Sequence, residues 1–302
     1  MRVILTGGSG LIGRAVAAEL AAAGHEPIVL SRDPAKVPDL PPGVRAERWD
    51  GKTAAGWGGL FDRESAVVHL AGEPIADGRW TAERKRRILS SRVESSAAVV
   101  AAISAAAVKP RVLLQASGIG YYGDTGDREV EESDPPGDDF LARTCVAWEG
   151  ATAAVEALGV RRAVLRTGVV LAREGGALPR MLLPFRLGVG GPLGDGRQWF
   201  PWIHMADEVG AIRFLLEHAD AAGPFNLCAP NPVRNADFAR ALGRALYRPS
   251  FLPTPAFALR LALGELAQAL LTGQRAFPRH LTAQGYAFRF PVLAGALADL
   301  VA

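Results

Sequence analysis

Cysteine is scarce in this chain. The two present, Cys145 and Cys228, lie far apart and show no paired-ligand spacing, so neither a disulfide framework nor a cysteine-built metal site follows. His25, His69, His204, His218 and His280 are scattered without an HExxH-type repeat, and no metal is expected. Charge of one sign is also scarce. Against 34 Lys and Arg stand 31 Asp and Glu, a net charge of +3. That is too little to argue for nucleic acid, although the slight basic excess suits an anionic ligand. No apolar run approaches the ~20 residues of a membrane span. A strand starting at Arg2 leaves no room for a targeting peptide, so a soluble, cytoplasmic protein is expected. What the chain has is a 49% hydrophobic content, enough for a large core or two lobes.

The most informative stretch is Thr6-Gly7-Gly8-Ser9-Gly10-Leu11-Ile12-Gly13. The β-branched run Arg2-Val3-Ile4-Leu5 before it reads as a buried strand. After it, Leu11, Ile12, Ala15, Val16 and Leu20 recur at helical spacing up to Gly24, and Pro27-Ile28-Val29-Leu30 is a second strand. Strand, glycine loop, helix and strand together make a βαβ dinucleotide fingerprint rather than an ordinary glycine-rich turn. Gly7 permits the tight turn, Gly10 lets backbone approach a pyrophosphate, and Gly13 lets helix and strand pack closely. The free N–H groups at the helix start favour phosphate.

The end of the second strand bears on which dinucleotide binds. An acidic residue there holds the ribose 2′-hydroxyl of NAD. This chain has Ser31-Arg32, and the Arg suits a 2′-phosphate. NADP (as NADPH) is therefore the expected cofactor, while Asp33, one place later, keeps NAD open.

Further along, Val44 to Asp50 reads as a third strand, with Asp50 near an adenine or in a plain turn. Ala66 to Leu70 is a fourth strand, running into Ala71-Gly72, with His69 packed in the sheet. Thr81 to Ala107 is a long helix whose run Arg84-Lys85-Arg86-Arg87 is a solvated face. Val112-Leu113-Leu114 leads to Ser117-Gly118, and a polar loop from Tyr121 to Asp139 precedes a helix through Cys145, Trp148 and Glu149. Val164-Leu165 and Val169 to Leu171 read as one strand broken by Arg166-Thr167-Gly168. Pro179 to His204 has the Gly, Pro, Trp and Phe content of a binding loop. Helix from Ala206 to His218 and strand from Phe225 to Cys228 follow. Asn235 reads as the N-cap of a helix through Leu246. Pro255 to Leu271 reads as one apolar helix, and Gly285 to Phe290 as a short strand.

Taken together, the chain resembles the extended short-chain dehydrogenase/reductase superfamily, in its "epimerase family" branch related to nucleotide-sugar epimerases and dehydratases. The residues that carry this are TGGSGLIG at 6–13, SR at 31–32, HLAGEPI at 69–75, SR at 91–92 and SGIGYYG at 117–123. DFLARTCVAWE at 139–149, LRTGVVL at 165–171, LPFRLGVGGPLGDGRQWFPWIH at 183–204 and PRHLTAQGYAFRFP at 278–291 agree. The resemblance implies an α/β fold: a Rossmann doubly wound parallel sheet with a smaller C-terminal α/β substrate lobe. Residues 1–178, joined by 205–230, would form the NADP-binding domain. Residues 179–204 and 231–302 would form the lobe. By motif, Thr6, Gly7, Ser9, Gly10, Leu11, Ile12 and Gly13 would cradle the pyrophosphate, with Ser31 and Arg32 at the 2′-phosphate. Leu70, Ala71 and Gly72 would line the cofactor path, and Arg92 would face the cofactor from its helix.

The chain departs from the superfamily at the chemistry. Members that move hydride generally use Ser, Tyr and Lys, the last two spaced Tyr-x-x-x-Lys. Here the matching positions are Cys145 and Glu149, and Glu149 cannot supply the positive charge. Ser117, Tyr121, Tyr122 and Glu149 remain as candidates for proton chemistry, Glu149 as a base if burial raises its pKa. Packing tyrosines and an ion-paired carboxylate are the competing reading. Arg186, Gln198, Trp199, Trp202 and His204 are candidates to line a substrate pocket, or to pack between lobes. Two functions are carried forward. One is an NADP(H)-dependent epimerase, dehydratase or reductase acting on a polar, sugar-like small molecule. The other is an NADP(H)-sensing regulator without turnover. No nucleic-acid or membrane partner is expected, and monomer and homodimer are both left open.

Overall fold

The structure, a computed structural model, describes residues 1–37 and 40–302. Its N-terminal half alternates strand and helix: β1 (Arg2–Thr6), α1 (Leu11–Ala22), β2 (Glu26–Ser31), β3 (Arg45–Arg48), β4 (Ser65–His69), α2 (Ala82–Ala105) and β5 (Val112–Gly118). Next come β6 (Glu129–Val130), α3 (Phe140–Gly150), β7 (Arg161–Thr167), β8 (Val169–Leu171), α4 (Leu178–Arg186), β9 (Trp199–Phe200), β10 (Trp202–His204), α5 (Met205–Glu217) and β11 (Gly223–Leu227). The C-terminal part holds β12 (Val233–Arg234), α6 (Asn235–Ala245), α7 (Ala256–Leu263), α8 (Leu266–Leu271), β13 (Arg275–Ala276), α9 (Arg279–Ala283) and α10 (Leu293–Val301).

Seven strands form one parallel sheet in the order β11-β7-β5-β4-β1-β2-β3. Strands buried on both faces must be apolar throughout, which is why Val3-Ile4-Leu5 and Val67-Val68 read as continuous runs. One face packs Val3, Leu5, Val29 and Leu114 on α1 and α5 through Val16, Leu20, Ile212 and Leu215. The other packs Ile4, Ile28, Val67 and Leu113 on Val99, Ala102 and Ile103 of α2. A further core gathers Leu182, Phe185, Phe200, Trp202, Phe238, Leu242 and Leu297 from α4, β9, β10, α6 and α10. In such a sheet the ligand crevice lies beyond the carboxyl ends of the strands, where the order reverses beside β1.

Several sequence expectations change in the fold. The strand expected across Arg166-Thr167-Gly168 is two strands in two sheets: β7 belongs to the main sheet, whereas β8 pairs with β10. Gly168 makes the crossover possible, since a Cβ there would lie 2.4 Å from the Pro201 carbonyl oxygen. Asn235 is the first residue of α6, not its cap, and its Oδ1 accepts the Leu193 N–H at 2.8 Å, tying down the glycine-rich loop. The helix expected over Pro255 to Leu271 divides at Gly264, whose φ of +62° ends α7. Residues 285–290 form no strand. Instead the N–H groups of Arg289 and Phe290 donate to the buried Asp207 carboxylate. Finally, α2 is by length and composition apolar enough to cross a membrane, although no run of the sequence was expected to be. In this fold its Val99, Ala102 and Ile103 are fully buried.

Candidate active site

The glycine loop between β1 and α1 is built against the end of β4. Gly7 has φ +71°, and a Cβ on it would fall 2.7 Å from the Leu70 carbonyl carbon. At Gly13 a Cβ would fall 2.3 Å from the Gly7 carbonyl oxygen, so only glycine lets α1 start this close to its own loop. Gly10 caps α1 without any side-chain hydrogen bond, leaving the first-turn N–H groups without a side-chain acceptor. That is a cradle suited to a diphosphate. Ser9 is exposed, Leu11 and Ile12 are half-buried, and the Leu11 side chain touches Gly175 and Gly176 beyond β8. Thr6 is buried, with Oγ1 2.5 Å from His69 Nδ1. His69 Nε2 lies 3.1 Å from Ser96 Oγ, and burial pulls the imidazole down to about 3. It is a neutral packing residue of the sheet.

At the end of β2, Ser31 Oγ accepts the Asp33 N–H at 3.2 Å and Arg32 is exposed. The Asp50 carboxylate is spent on its own turn, accepting the Lys52 and Thr53 N–H groups at 2.8 Å, which hold it below the usual carboxylate range. Across the crevice, Gly72 makes room for Arg92, since a Cβ there would lie 3.1 Å from the Arg92 Cζ.

The chemistry-bearing residues meet at the carboxyl ends of β5, β7 and β11. The parallel register sets Ser117 beside Arg166, and Arg166 beside Asn226. Arg166 is the hub. Its Nε and Nη2 each donate at 3.0 Å to the two oxygens of Glu149, which reaches in from α3. Its Nη1 donates to the Tyr122 hydroxyl at 3.0 Å and to the Glu132 carbonyl at 3.1 Å. The Tyr122 hydroxyl in turn donates to Asn226 Oδ1 at 2.8 Å, and Ser117 Oγ donates to Glu149 Oε1 at 2.6 Å. Tyr121 lays its ring over the guanidinium, with Cζ 3.4 Å from the ring centroid. Among the described residues nothing hydrogen-bonds the Tyr121 hydroxyl.

Electrostatics separates the members of this row. Burial alone would lower the Arg166 guanidinium, but Glu149 and the Tyr122 oxygen more than reverse it and keep the cation in place. Burial pushes the Tyr122 phenol well up. It also pushes the Cys145 thiol up to about 11, so Cys145, 3.7 Å from the Gly118 carbonyl, is neutral. On the far face, Glu208 is fully buried, accepts from Thr167 Oγ1 at 2.9 Å and is pushed up by burial to about 8.

Ser117, Tyr121, Tyr122 and Glu149 are thus brought together. Glu149, however, has both oxygens on a permanent cation, the ion-paired arrangement that the sequence left open beside its reading as a base. Arg166 and Asn226 were missed as site residues. The signal was available: a polar side chain inside each of two apolar strands, Val164-Leu165-Arg166 and Phe225-Asn226-Leu227.

The residues expected to line a substrate pocket are dispersed. Trp202 is buried in the third core. His204 caps α5 by accepting the Ala206 N–H at 3.0 Å and stacks on Phe290. Gln198 donates to the Leu193 and Leu270 carbonyls. Trp199 lies between the Arg234 and Arg275 guanidinium groups beside a cavity of about 250 Å³ that Asp127 and Arg197 also line. Arg186 is on the exposed last turn of α4. None of these hydrogen-bonds a member of the Ser117–Arg166 row among the described residues.

The strand order and the glycine cradle define a Rossmann-type dinucleotide-binding fold with an extended C-terminal part. More particularly, the chain belongs to the NAD dependent epimerase/dehydratase family, whose profile matches residues 3–228. A second profile, a Domain of unknown function (DUF1731), matches residues 254–300. The epimerase family protein SDR39U1 of Bos taurus is 42% identical over 307 residues, covering 100% of both chains. The epimerase family protein YfhF of Bacillus subtilis is 37% identical over 310 residues, covering 100% of this chain and 98% of its own. Among solved structures, human SDR39U1 (isoform 2) with NADPH superposes with a TM-score of 0.90 at 39% identity, covering 100% of this chain and 99% of that one. The UDP-N-acetylglucosamine 4-epimerase of Bacillus cereus, at 16% identity and a TM-score of 0.77 over 100% and 98% of the two chains, shares the fold.

Proposed function

We propose that this chain is an NADPH-dependent enzyme of epimerase, dehydratase or reductase type, acting on a polar, sugar-like small molecule. The observation that carries this reading is Arg166, which sits beneath Tyr121 and is fixed by Glu149 and Tyr122. It supplies the positive charge for which Tyr-x-x-x-Lys proteins use lysine. The glycine cradle at α1 fits the diphosphate of a dinucleotide, and exposed Arg32 suits a 2′-phosphate. The human relative crystallised with NADPH supports the same cofactor. Held by the α1 cradle and Arg32, NADPH would supply hydride-transfer chemistry to this crevice. Tyr121, whose hydroxyl has no partner among the described residues, exchanges the proton at the substrate oxygen. Guanidinium charge against its ring stabilises negative charge developing on the phenolic oxygen. Ser117, held by Glu149, keeps its lone pairs to orient a substrate hydroxyl.

A second reading, an NADPH-sensing regulator without turnover, is favoured by one observation. Cys145, at the position of the usual tyrosine, is a buried neutral thiol. A metabolite screen separates the two. The protein with NADPH is incubated with a small-molecule extract and compared with heat-killed protein by isomer-resolving chromatography and mass spectrometry. Loss of water, gain of two hydrogens, or unchanged mass at a new retention time identifies dehydratase, reductase or epimerase. NADPH binding without any shift across extracts transfers the weight to the regulator.

A further inference from the structure

We propose that Arg92 is an oxyanion fork for the substrate, which makes the substrate an acid, a carboxylate or a phosphate ester. This rests on the reading of the crevice as an enzyme site. The guanidinium of Arg92 has two unlike edges. Nη1 is fully used, donating to the Glu73 and Ile88 carbonyl oxygens at 3.0 Å each. Among the described residues no acceptor reaches Nε or Nη2, and neither atom is sealed from solvent. That free edge has the geometry that takes two oxygens of one carboxylate or phosphate in parallel hydrogen bonds.

The guanidinium is held in place. Its Cζ lies 4.7 Å from the centroid of the Trp148 ring, and Gly72 leaves it space where any Cβ would crowd it. The side chain of Glu73, whose backbone carbonyl Arg92 holds, turns to Arg84 at 2.8 Å and Arg87 at 3.5 Å. Arg92 is therefore a half-buried cation whose direct partners are carbonyl dipoles, a state that a bound anion would relieve.

Charge bookkeeping across the crevice points the same way. Arg166 is directly paired with Glu149, and Cys145 and Tyr122 are neutral, so Arg92 is the neighbouring cation that has no carboxylate in direct contact among the described residues, Glu73 acting on it only at a distance. Its neighbours Trp148 and Cys145 belong to α3, the helix that also carries Glu149. The cofactor's phosphates have their own donors in the α1 cradle. An acid group on Arg92 would hold the far end of a substrate whose reacting oxygen faces Tyr121.

Inorganic phosphate and malonate serve as probes, titrated calorimetrically onto NADPH-saturated protein so that the Arg32 and α1 sites are filled. The wild type is expected to bind at least one of them, and Arg92→Gln to lose at least tenfold in that affinity. Arg92→Lys, which keeps the charge but not the fork, should lose most of it too. NADPH affinity should stay within about twofold of wild type in both variants. Thermal unfolding confirms that they are folded. No anion binding to the wild-type complex, or equal binding in Arg92→Gln, overturns the fork. A tenfold loss of NADPH affinity instead gives Arg92 to the cofactor and overturns the substrate assignment. Should the wild type bind no NADPH, the enzyme reading fails by itself, and the same titrations on cofactor-free protein still decide the fork.

Discussion

Glu149 and Arg166 meet fork to fork, with Nε–Oε1 and Nη2–Oε2 both at 3.0 Å and side chains only 14% and 5% exposed. A pair this buried gains from both charges together and suffers when either is left alone. Arg166→Ala or Glu149→Ala alone is expected to lose about 3–5 kcal/mol of stability. The double variant should lose much less than the sum, because no orphan charge remains. Denaturant unfolding of the three variants checks this. Additive losses would mean that the pair contributes no coupling.

The adjacent tyrosines should separate cleanly. Tyr122 is 2% exposed, and its hydroxyl donates to Asn226 and accepts from Arg166. Tyr122→Phe strands both partners and is expected to cost about 1–3 kcal/mol. Tyr121→Phe removes a hydroxyl with no partner among the described residues, so stability should hold while turnover of any substrate from the metabolite screen falls at least a hundredfold. Unchanged turnover in Tyr121→Phe would remove it from the chemistry.

Arg32 tests the cofactor. Hydrogen bonds to a charged group are worth about 1.5–3 kcal/mol, so Arg32→Ala should weaken NADPH by roughly ten- to a hundredfold. NADH should be affected little, since it lacks the 2′-phosphate. Fluorescence titration with both cofactors reads the ratio, and an equal loss for both would cancel the assignment.

Glu208 predicts a pH dependence of stability. The folded chain holds its proton to about 8, whereas the unfolded carboxyl releases it near its ordinary value of 4.5. Between these values the unfolded state binds fewer protons than the folded one, so this group's contribution falls as pH rises and levels off beyond about 8. Glu208→Gln keeps the neutral shape and should unfold at a higher temperature than wild type at pH 8–9, with a smaller gap at pH 5. Scanning calorimetry across that range is the measurement. A gap independent of pH would mean that Glu208 is ionised in the fold.

The cofactor cradle was legible in sequence because it is local. Gly10 and Gly13 are constrained by the backbone of their own loop, and Gly7 by its positive φ there, with Leu70 at the end of β4 as a further, distant constraint. Continuous apolar runs such as Val3-Ile4-Leu5 and Val67-Val68 likewise announce a buried parallel sheet. The Ser117–Arg166 row was half legible. Ser117, Tyr121, Tyr122 and Glu149 stand out by type and motif, but Arg166 looked like a break in a strand. Asp50, Trp202 and His204 carried suggestive chemistry that the fold spends on a turn, a core and a helix cap.

The sequence by itself determined the dinucleotide fingerprint, the order of alternating strands and helices, and the replacement of Tyr-x-x-x-Lys by Cys145 and Glu149. Each of these is written within a few neighbouring residues. Only the tertiary structure brought the Arg166 guanidinium to Glu149 and Tyr122. Residue 166 reaches residues 117, 122, 149 and 226 because parallel strands distant in the chain end side by side, with α3 laid across them. A lateral contact between strands leaves no spacing in sequence. The register that sets Arg166 between Ser117 and Asn226 exists only once the sheet has closed.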